Sequence, residues 1–271
     1  MHSAFLEDDG ARIHYLAFGQ GPLPAICLHG YGEQADSFLF LEKDLGNQYT
    51  FYAPDLPFHG RTAWPEDQYL TPSRLAGWVM QLLGSGGPPV TLIGFSLGGR
   101  MALALYEVLG ARVDRLVLLA PDGLKVNVWY RLATHHALGR KIFELTMRHP
   151  GWFFILMEGL QRLGLVNASL YKFARHYVAD ASARRLLFLR WTSLHPVRPH
   201  LPRIRNAIAS HHTTCYLLYG IHDRIITPAR GKRLCQGIES SCRLVMLHAG
   251  HQLLHEKHLG EILPALQDPA Q

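Results

Sequence analysis

The sequence predicts an α/β fold in which a mostly parallel β-sheet is covered by helices on both faces. Three observations predict it. Six short apolar runs, at 24–28, 50–54, 90–95, 115–120, 215–219 and 244–247, punctuate the chain. Most of these runs are followed by stretches with helical character, the rhythm of strand and crossover helix. The runs are continuously apolar and do not alternate, as strands buried on both faces require. With 271 residues, of which 48% are apolar and 18% charged, the chain is long enough for one large core, with or without a substantial insertion. That composition excludes a disordered chain, which could not bury enough apolar surface to order itself.

Residues 3–7 and 11–18 read as two strands of a hairpin, because the intervening Asp9-Gly10 pair tolerates positive φ. Further on, Thr71-Pro72 opens a helix: a hydroxyl caps the first turn, proline suits its first position, and Leu75, Val79, Leu82 and Leu83 recur on one face. Between Asp122 and Arg205 the strand rhythm stops and the chain becomes helical, aromatic and basic, with 14 Lys and Arg against 4 Asp and Glu, a net charge of +10. The rest of the chain is therefore at −4, an asymmetry hidden in the overall +6. This stretch reads as an insertion, so that 1–121 with 206–271 forms the main domain and 122–205 a helical insertion. Trp129, Tyr130, Trp152, Tyr171 and Trp191 are among its aromatic residues. One reading makes them the insertion's own small core with a solvated basic outer face. The other has Arg131, Lys141, Arg148, Arg162, Lys172 and Arg175 draw the insertion weakly to an anionic membrane surface or an acidic substrate.

Nucleic acid is not the expected partner, since the basic residues form no tight block and no zinc-finger or RRM-like pattern occurs. Cys27, Cys215, Cys235 and Cys242 are widely spaced, and two lie in apolar runs where a thiol behaves as a small hydrophobe, so a reducing compartment is expected. The first residues lack the basic flank and apolar stretch of a signal peptide, and the apolar run 152–157 is far too short to span a bilayer. A cytoplasmic location is the resulting expectation.

Chemistry concentrates at four places. Gly94-Phe95-Ser96-Leu97-Gly98 follows an apolar run and precedes a strong helix former, Arg100-Met101-Ala102-Leu103. The G-x-S-x-G spacing is weak alone, but strand, turn and helix around it suit a serine lifted off the end of a sheet, where a merely structural glycine turn is the competing reading. A serine hydroxyl needs an imidazole to take its proton and an acid to orient that imidazole. Of the 17 histidines, His251 stands out because Ala249-Gly250-His251 directly follows the last apolar run. His251, His255 and His258 have helical metal-ligand spacing, but no H-E-x-x-H or cysteine pair accompanies them, and no metal is expected. Asp223 lies a few residues beyond the run 215–219, which gives the chain order Ser, Asp, His. Its competing reading is a helix-capping aspartate. His29-Gly30-Tyr31-Gly32 follows the run 24–28, and the N–H of Tyr31, paired with that of Leu97, is the candidate oxyanion hole. His29 itself is expected to brace the loop.

In these residues the chain resembles the α/β-hydrolase superfamily, in its branch of capped serine esterases and C–C hydrolases. The resemblance rests on His29-Gly30, on Asp55-Leu56-Pro57-Phe58-His59-Gly60-Arg61, on residues 94–99, on 220–228 with Asp223, and on 250–256. It implies an eight-stranded sheet whose insertion after the sixth strand caps the active site, and it makes Asp122 a reserve candidate for the acid. Where relatives show Pro-Gly-x-Gly, this chain has Pro57-Phe58-His59-Gly60. Asp55 and Arg61 are expected in structural hydrogen bonds. The function expected is hydrolysis of a carboxylic ester or thioester, a small-molecule acyl substrate, with Ser96 as nucleophile, His251 as base, Asp223 as its orienting acid, and no cofactor. Cleavage of a carbon–carbon bond in a diketone-type substrate, and ligand binding without turnover, are the alternatives.

Overall fold

The computed structural model describes residues 1–84, 86–124, 128–164 and 178–267. Strands β1 (His2–Asp8) and β2 (Ala11–Phe18) form the expected hairpin. Asp9 and Gly10 take φ of 44° and 78°, the left-handed pair that a two-residue loop needs to match the strand twist. Six more strands follow: β3 (Leu23–Leu28), β4 (Tyr49–Pro54), β5 (Val90–Phe95), β6 (Val113–Leu119), β7 (Thr214–Gly220) and β8 (Cys242–Leu247). They complete one eight-stranded sheet in the order β1-β2-β4-β3-β5-β6-β7-β8. Only the β1–β2 and β2–β4 pairs are antiparallel; the remaining neighbours run parallel. All six residues of β5 are buried, as the continuous apolar run demands of a central strand.

Helices α1 (Glu42–Leu45), α2 (Pro72–Leu83) and α3 (Leu97–Leu109) flank this sheet. Thr71 caps α2 by accepting the Arg74 N–H at 3.2 Å. The helix buries Leu75, Ala76, Trp78 and Val79 and leaves Leu82 and Leu83 half-exposed, so its inner face is turned slightly from the expected one. Helix α3 packs on β3, β5 and β6, at the centre of the sheet.

The chain divides into two compact units. The first comprises Met1–Pro65, Leu70–Lys125 and Pro196–Gln271 and holds the whole sheet. The second comprises Glu66–Tyr69 and Val126–His195. Among the described residues its helices are α4 (Val128–His135), α5 (Ala137–Arg148), α6 (Gly151–Arg162) and α7 (Ala181–Leu194). Tyr130, Phe143, Phe188 and Trp191 form a ring cluster within it, with centroids 5.1 Å apart for Tyr130–Trp191 and 5.5 Å apart for Phe143–Trp191 and Phe143–Phe188. Tyr171, Lys172, Phe173, Arg175 and the Trp129 side chain lie outside the described residues. Helix α8 (Leu201–His211), which a boundary after Arg205 would cut, buries Ile204 and Ile208 in the first unit and packs on α3.

The cysteines depart from the expectation. Cys27 and Cys215 are buried thiols, but Cys235 and Cys242 form a disulfide. The turn after α9 (Ala229–Cys235) leads straight into β8 and brings their Cα atoms to 5.2 Å, within the span of a disulfide. A reducing compartment does not ordinarily maintain such a bond. Among the described residues, no helix is long and apolar enough to cross a membrane.

Candidate active site

Ser96 stands between the end of β5 and the start of α3. Its φ of 49° and ψ of −111° are strained for a residue with a side chain, at a cost of ~1–3 kcal/mol that only a surrounding framework can hold. The framework is visible. The Ser96 N–H donates to the Leu119 carbonyl at 2.9 Å, and its own carbonyl accepts from Gly99 at 3.0 Å and from Asp122 at 2.8 Å. Gly98 lets the helix come this close to β3, since a Cβ there would lie 1.7 Å from the Leu28 carbonyl oxygen.

Asp223 follows β7 and His251 follows β8, two parallel neighbours whose ends lie on the same side of the sheet. The Ser96 Oγ and His251 Nε2 are 3.0 Å apart, and His251 Nδ1 lies 2.7 Å from Asp223 Oδ2. The Asp223 side chain is fully buried, and its Oδ1 accepts the N–H groups of Ile225 and Ile226 at 2.7 and 2.9 Å. With the carboxylate held as acceptor, His251 donates from Nδ1 and presents Nε2 as an acceptor for the serine hydroxyl. Asp122 is elsewhere engaged: its Oδ2 faces Arg100 Nε at 3.4 Å.

The loop after β3 lies against both sides of Ser96. A Cβ on Gly30 would come within 2.8 Å of the Phe95 ring, and one on Gly98 within 2.7 Å of the His29 carbonyl oxygen. The two candidate oxyanion donors therefore sit on adjoining segments: Tyr31 on this loop, and Leu97 as the first residue of α3, where helical N–H groups have no partner within the helix. His29 is fully buried; its Nδ1–H donates to the Gly30 carbonyl at 2.8 Å and its Nε2 accepts the Leu56 N–H at 3.0 Å. It braces two loops with both nitrogens.

The loop after β4 is organised by Asp55. Its buried carboxylate accepts N–H groups of Ala35 at 2.7 Å and Arg61 at 2.8 Å and meets His14 Nδ1 at 2.7 Å. Phe58 takes φ of 61° there. The backbone thus keeps a left-handed conformation that glycine adopts freely, with a large side chain in glycine's place.

Three neighbours of the site carry no signal in the sequence. The Phe95 ring packs on the His251 imidazole, centroids 5.3 Å apart. Glu33 and Gln252 meet at 2.6 Å, Oε1 to Nε2, between the loops after β3 and β8. Both contacts join segments far apart in sequence, so no local pattern announces them. The three-histidine spacing is dispersed: His251 faces Ser96 and Asp223, while His255 Nδ1 accepts the Lys257 N–H at 3.2 Å.

Comparison with known proteins places the chain in a family. The model of the Alpha/beta hydrolase family matches residues 25–265. The chain is 36% identical over 134 residues to a pimeloyl-acyl-carrier-protein methyl ester esterase of Stenotrophomonas maltophilia, a match covering 49% of this chain and 47% of that protein. It is 29% identical over 261 residues to the 2-hydroxy-6-oxo-6-(2'-aminophenyl)hexa-2,4-dienoic acid hydrolase of Metapseudomonas resinovorans, covering 93% of this chain and 85% of the relative. Several other curated relatives are matched over only 32% to 37% of their length. Among solved structures, a thermophilic esterase from Thermogutta terrifontis superposes with a TM-score of 0.68 at 18% identity, covering all of both chains. The fold and the length of chain that the family model covers agree: the chain belongs to the alpha/beta hydrolase family.

Proposed function

We propose that the protein is a serine hydrolase that cleaves a carboxylic ester or thioester by acyl transfer. The observation that carries this reading is the pair of contacts, 3.0 and 2.7 Å, joining side chains from three separate strand ends into one line from Ser96 through His251 to Asp223. In that arrangement Ser96 Oγ attacks the substrate carbonyl while His251 Nε2 takes its proton. Asp223 keeps the imidazole in the tautomer that can accept it and stabilises the imidazolium that forms. Negative charge developing on the carbonyl oxygen meets the N–H groups of Tyr31 and Leu97. His251 then returns the proton to the leaving group, and a water molecule activated by the same imidazole releases the acid. The similarity to the methyl ester esterase over half the chain supports an acyl ester as substrate.

A second reading is favoured by one comparison, the relative matched over 93% of the chain. The dienoic acid in its name has no ester bond, so its hydrolysis breaks a carbon–carbon bond beside a ketone. The same serine, base and oxyanion donors serve that reaction.

A fluorophosphonate probe tests both readings against binding without turnover. Stoichiometric labelling of Ser96, absent in Ser96→Ala, is the expected result; an inert serine overturns catalysis. A series of p-nitrophenyl esters run beside a vinylogous diketone then separates ester from carbon–carbon cleavage.

A further inference from the structure

We infer that Glu33 and Gln252 form a clip that holds the oxyanion loop in register with the loop carrying His251, which makes Glu33 a positioning residue for the reaction; this rests on the serine-hydrolase reading above. One Glu33 carboxylate serves both loops. Its Oε2 accepts the Gly30 N–H at 3.3 Å, and its Oε1 accepts Nε2 of Gln252 at 2.6 Å. The Glu33 N–H also donates to the Gly30 carbonyl at 3.3 Å, so Gly30 and Glu33 close a turn around Tyr31 and Gly32. Gln252 is the residue directly after His251, and its amide reaches the Leu254 carbonyl at 3.4 Å. The clip therefore spans from the residue before one candidate oxyanion donor to the residue after the base.

Two features make this more than a surface contact. Nothing lies within 4 Å of the place a Cβ would occupy on Gly32, so packing does not hold the outer side of the turn there. The Glu33 carboxylate also takes the N–H of Gly30, the residue directly before the candidate donor Tyr31, so it acts on the backbone of the oxyanion loop itself. An exposed carboxylate–amide bond adds little to global stability. Displacing an oxyanion donor or a base by a fraction of an ångström, in contrast, costs rate directly.

The test uses Glu33→Ala, which removes the carboxylate, Gln252→Glu, which sets two carboxylates against each other, and the double variant Glu33→Gln/Gln252→Glu, in which an amide at 33 faces a carboxylate at 252 and the bond is restored with donor and acceptor exchanged. Each protein is assayed for kcat and KM on the best p-nitrophenyl ester, for the rate of fluorophosphonate labelling, and for Tm. Each single variant is expected to lower kcat and the labelling rate by about tenfold with KM within about twofold and Tm nearly unchanged. The double variant is expected to recover most of the loss, which a role in folding alone would not produce. Single variants that match wild-type kcat, a double variant no better than the singles, or losses that follow a fall in Tm overturn the clip. A wild-type protein that neither labels nor turns over any ester or diketone overturns the hydrolase reading itself, and the clip with it.

Discussion

Ser96 and His251 act on one proton in the proposed reaction, so their losses do not add. Ser96→Ala and His251→Ala are each expected to lower kcat by ~10⁴ or more, with the double variant no worse than either single. Retention of a tenth of wild-type kcat by Ser96→Ala on the best ester would remove Ser96 from the chemistry. The two aspartates separate on the same scale. Asp223 is fully buried with three hydrogen-bonding neighbours, whereas Asp122 is a third exposed and faces Arg100. Asp223→Asn leaves the packing intact but favours the wrong imidazole tautomer, with a fall in kcat of up to ~10⁴. Asp122→Asn weakens one partly exposed ion pair and is expected to change kcat by less than about threefold. Steady-state rates of the two variants decide between them, and a larger loss at Asp122 reverses the choice.

The corner from β5 into α3 and the helix α2 make a contrast at the level of elements. A Cβ on Gly98 meets backbone, the Leu28 carbonyl oxygen at 1.7 Å, which no side-chain rotation can relieve. Gly98→Ala is therefore expected to lower the unfolding free energy by ~1–3 kcal/mol and to reduce kcat, because the turn holding Ser96 must shift. Gly77 lies inside α2 with nothing within 4 Å of an added Cβ. Gly77→Ala is expected to stabilise by ~0.5–1 kcal/mol through reduced chain entropy and better helix propensity, with kcat unchanged. Denaturant titration of the two variants reads both signs; equal shifts would show that close approach at Gly98 is not what the corner depends on.

For the whole molecule, thiol chemistry and charge each offer a measurement. Burial pushes the Cys27 thiol up and that of Cys215 to about 12, so neither forms thiolate at neutral pH, and Cys235 is joined to Cys242. A disulfide-exchange reagent is expected to find no rapidly reacting thiol in the native protein, two after denaturation and four after denaturation with reduction. Four thiols without reduction would sink the disulfide. The segment from α4 to α6 carries Arg131, Arg140, Lys141, Arg148 and Arg162 against Glu144 and Glu158. On α5, exposed Leu138, Ile142 and Leu145 lie beside Lys141 along one helical stripe. The expected consequence is weak binding to anionic vesicles that fades as salt shortens the screening length to ~10 Å at 0.1 M. Co-sedimentation with neutral and with anionic vesicles measures it, and equal, salt-independent partition to both removes the electrostatic contribution.

What the sequence alone makes legible depends on how far apart the interacting residues lie. Buried strands announce themselves as apolar runs, and the hairpin loop at Asp9-Gly10, the cap at Thr71 and the turn at Ser96 depend on neighbours within a few residues, so one-dimensional pattern suffices for them. The order of Ser96, Asp223 and His251 along the chain was legible for the same reason, since each follows its own strand. The meeting of those three residues was not, because it depends on β5, β7 and β8 ending on one side of a sheet whose strand order departs from chain order. The same holds for Asp122 turning to Arg100, for Ile204 and Ile208 anchoring α8 in the first unit, and for Glu33 reaching Gln252 across 219 positions. Local pattern specifies which residues lie inside and where the chain turns; long-range packing of a twisted parallel sheet selects which distant polar groups become neighbours, and the chemistry resides in those neighbours.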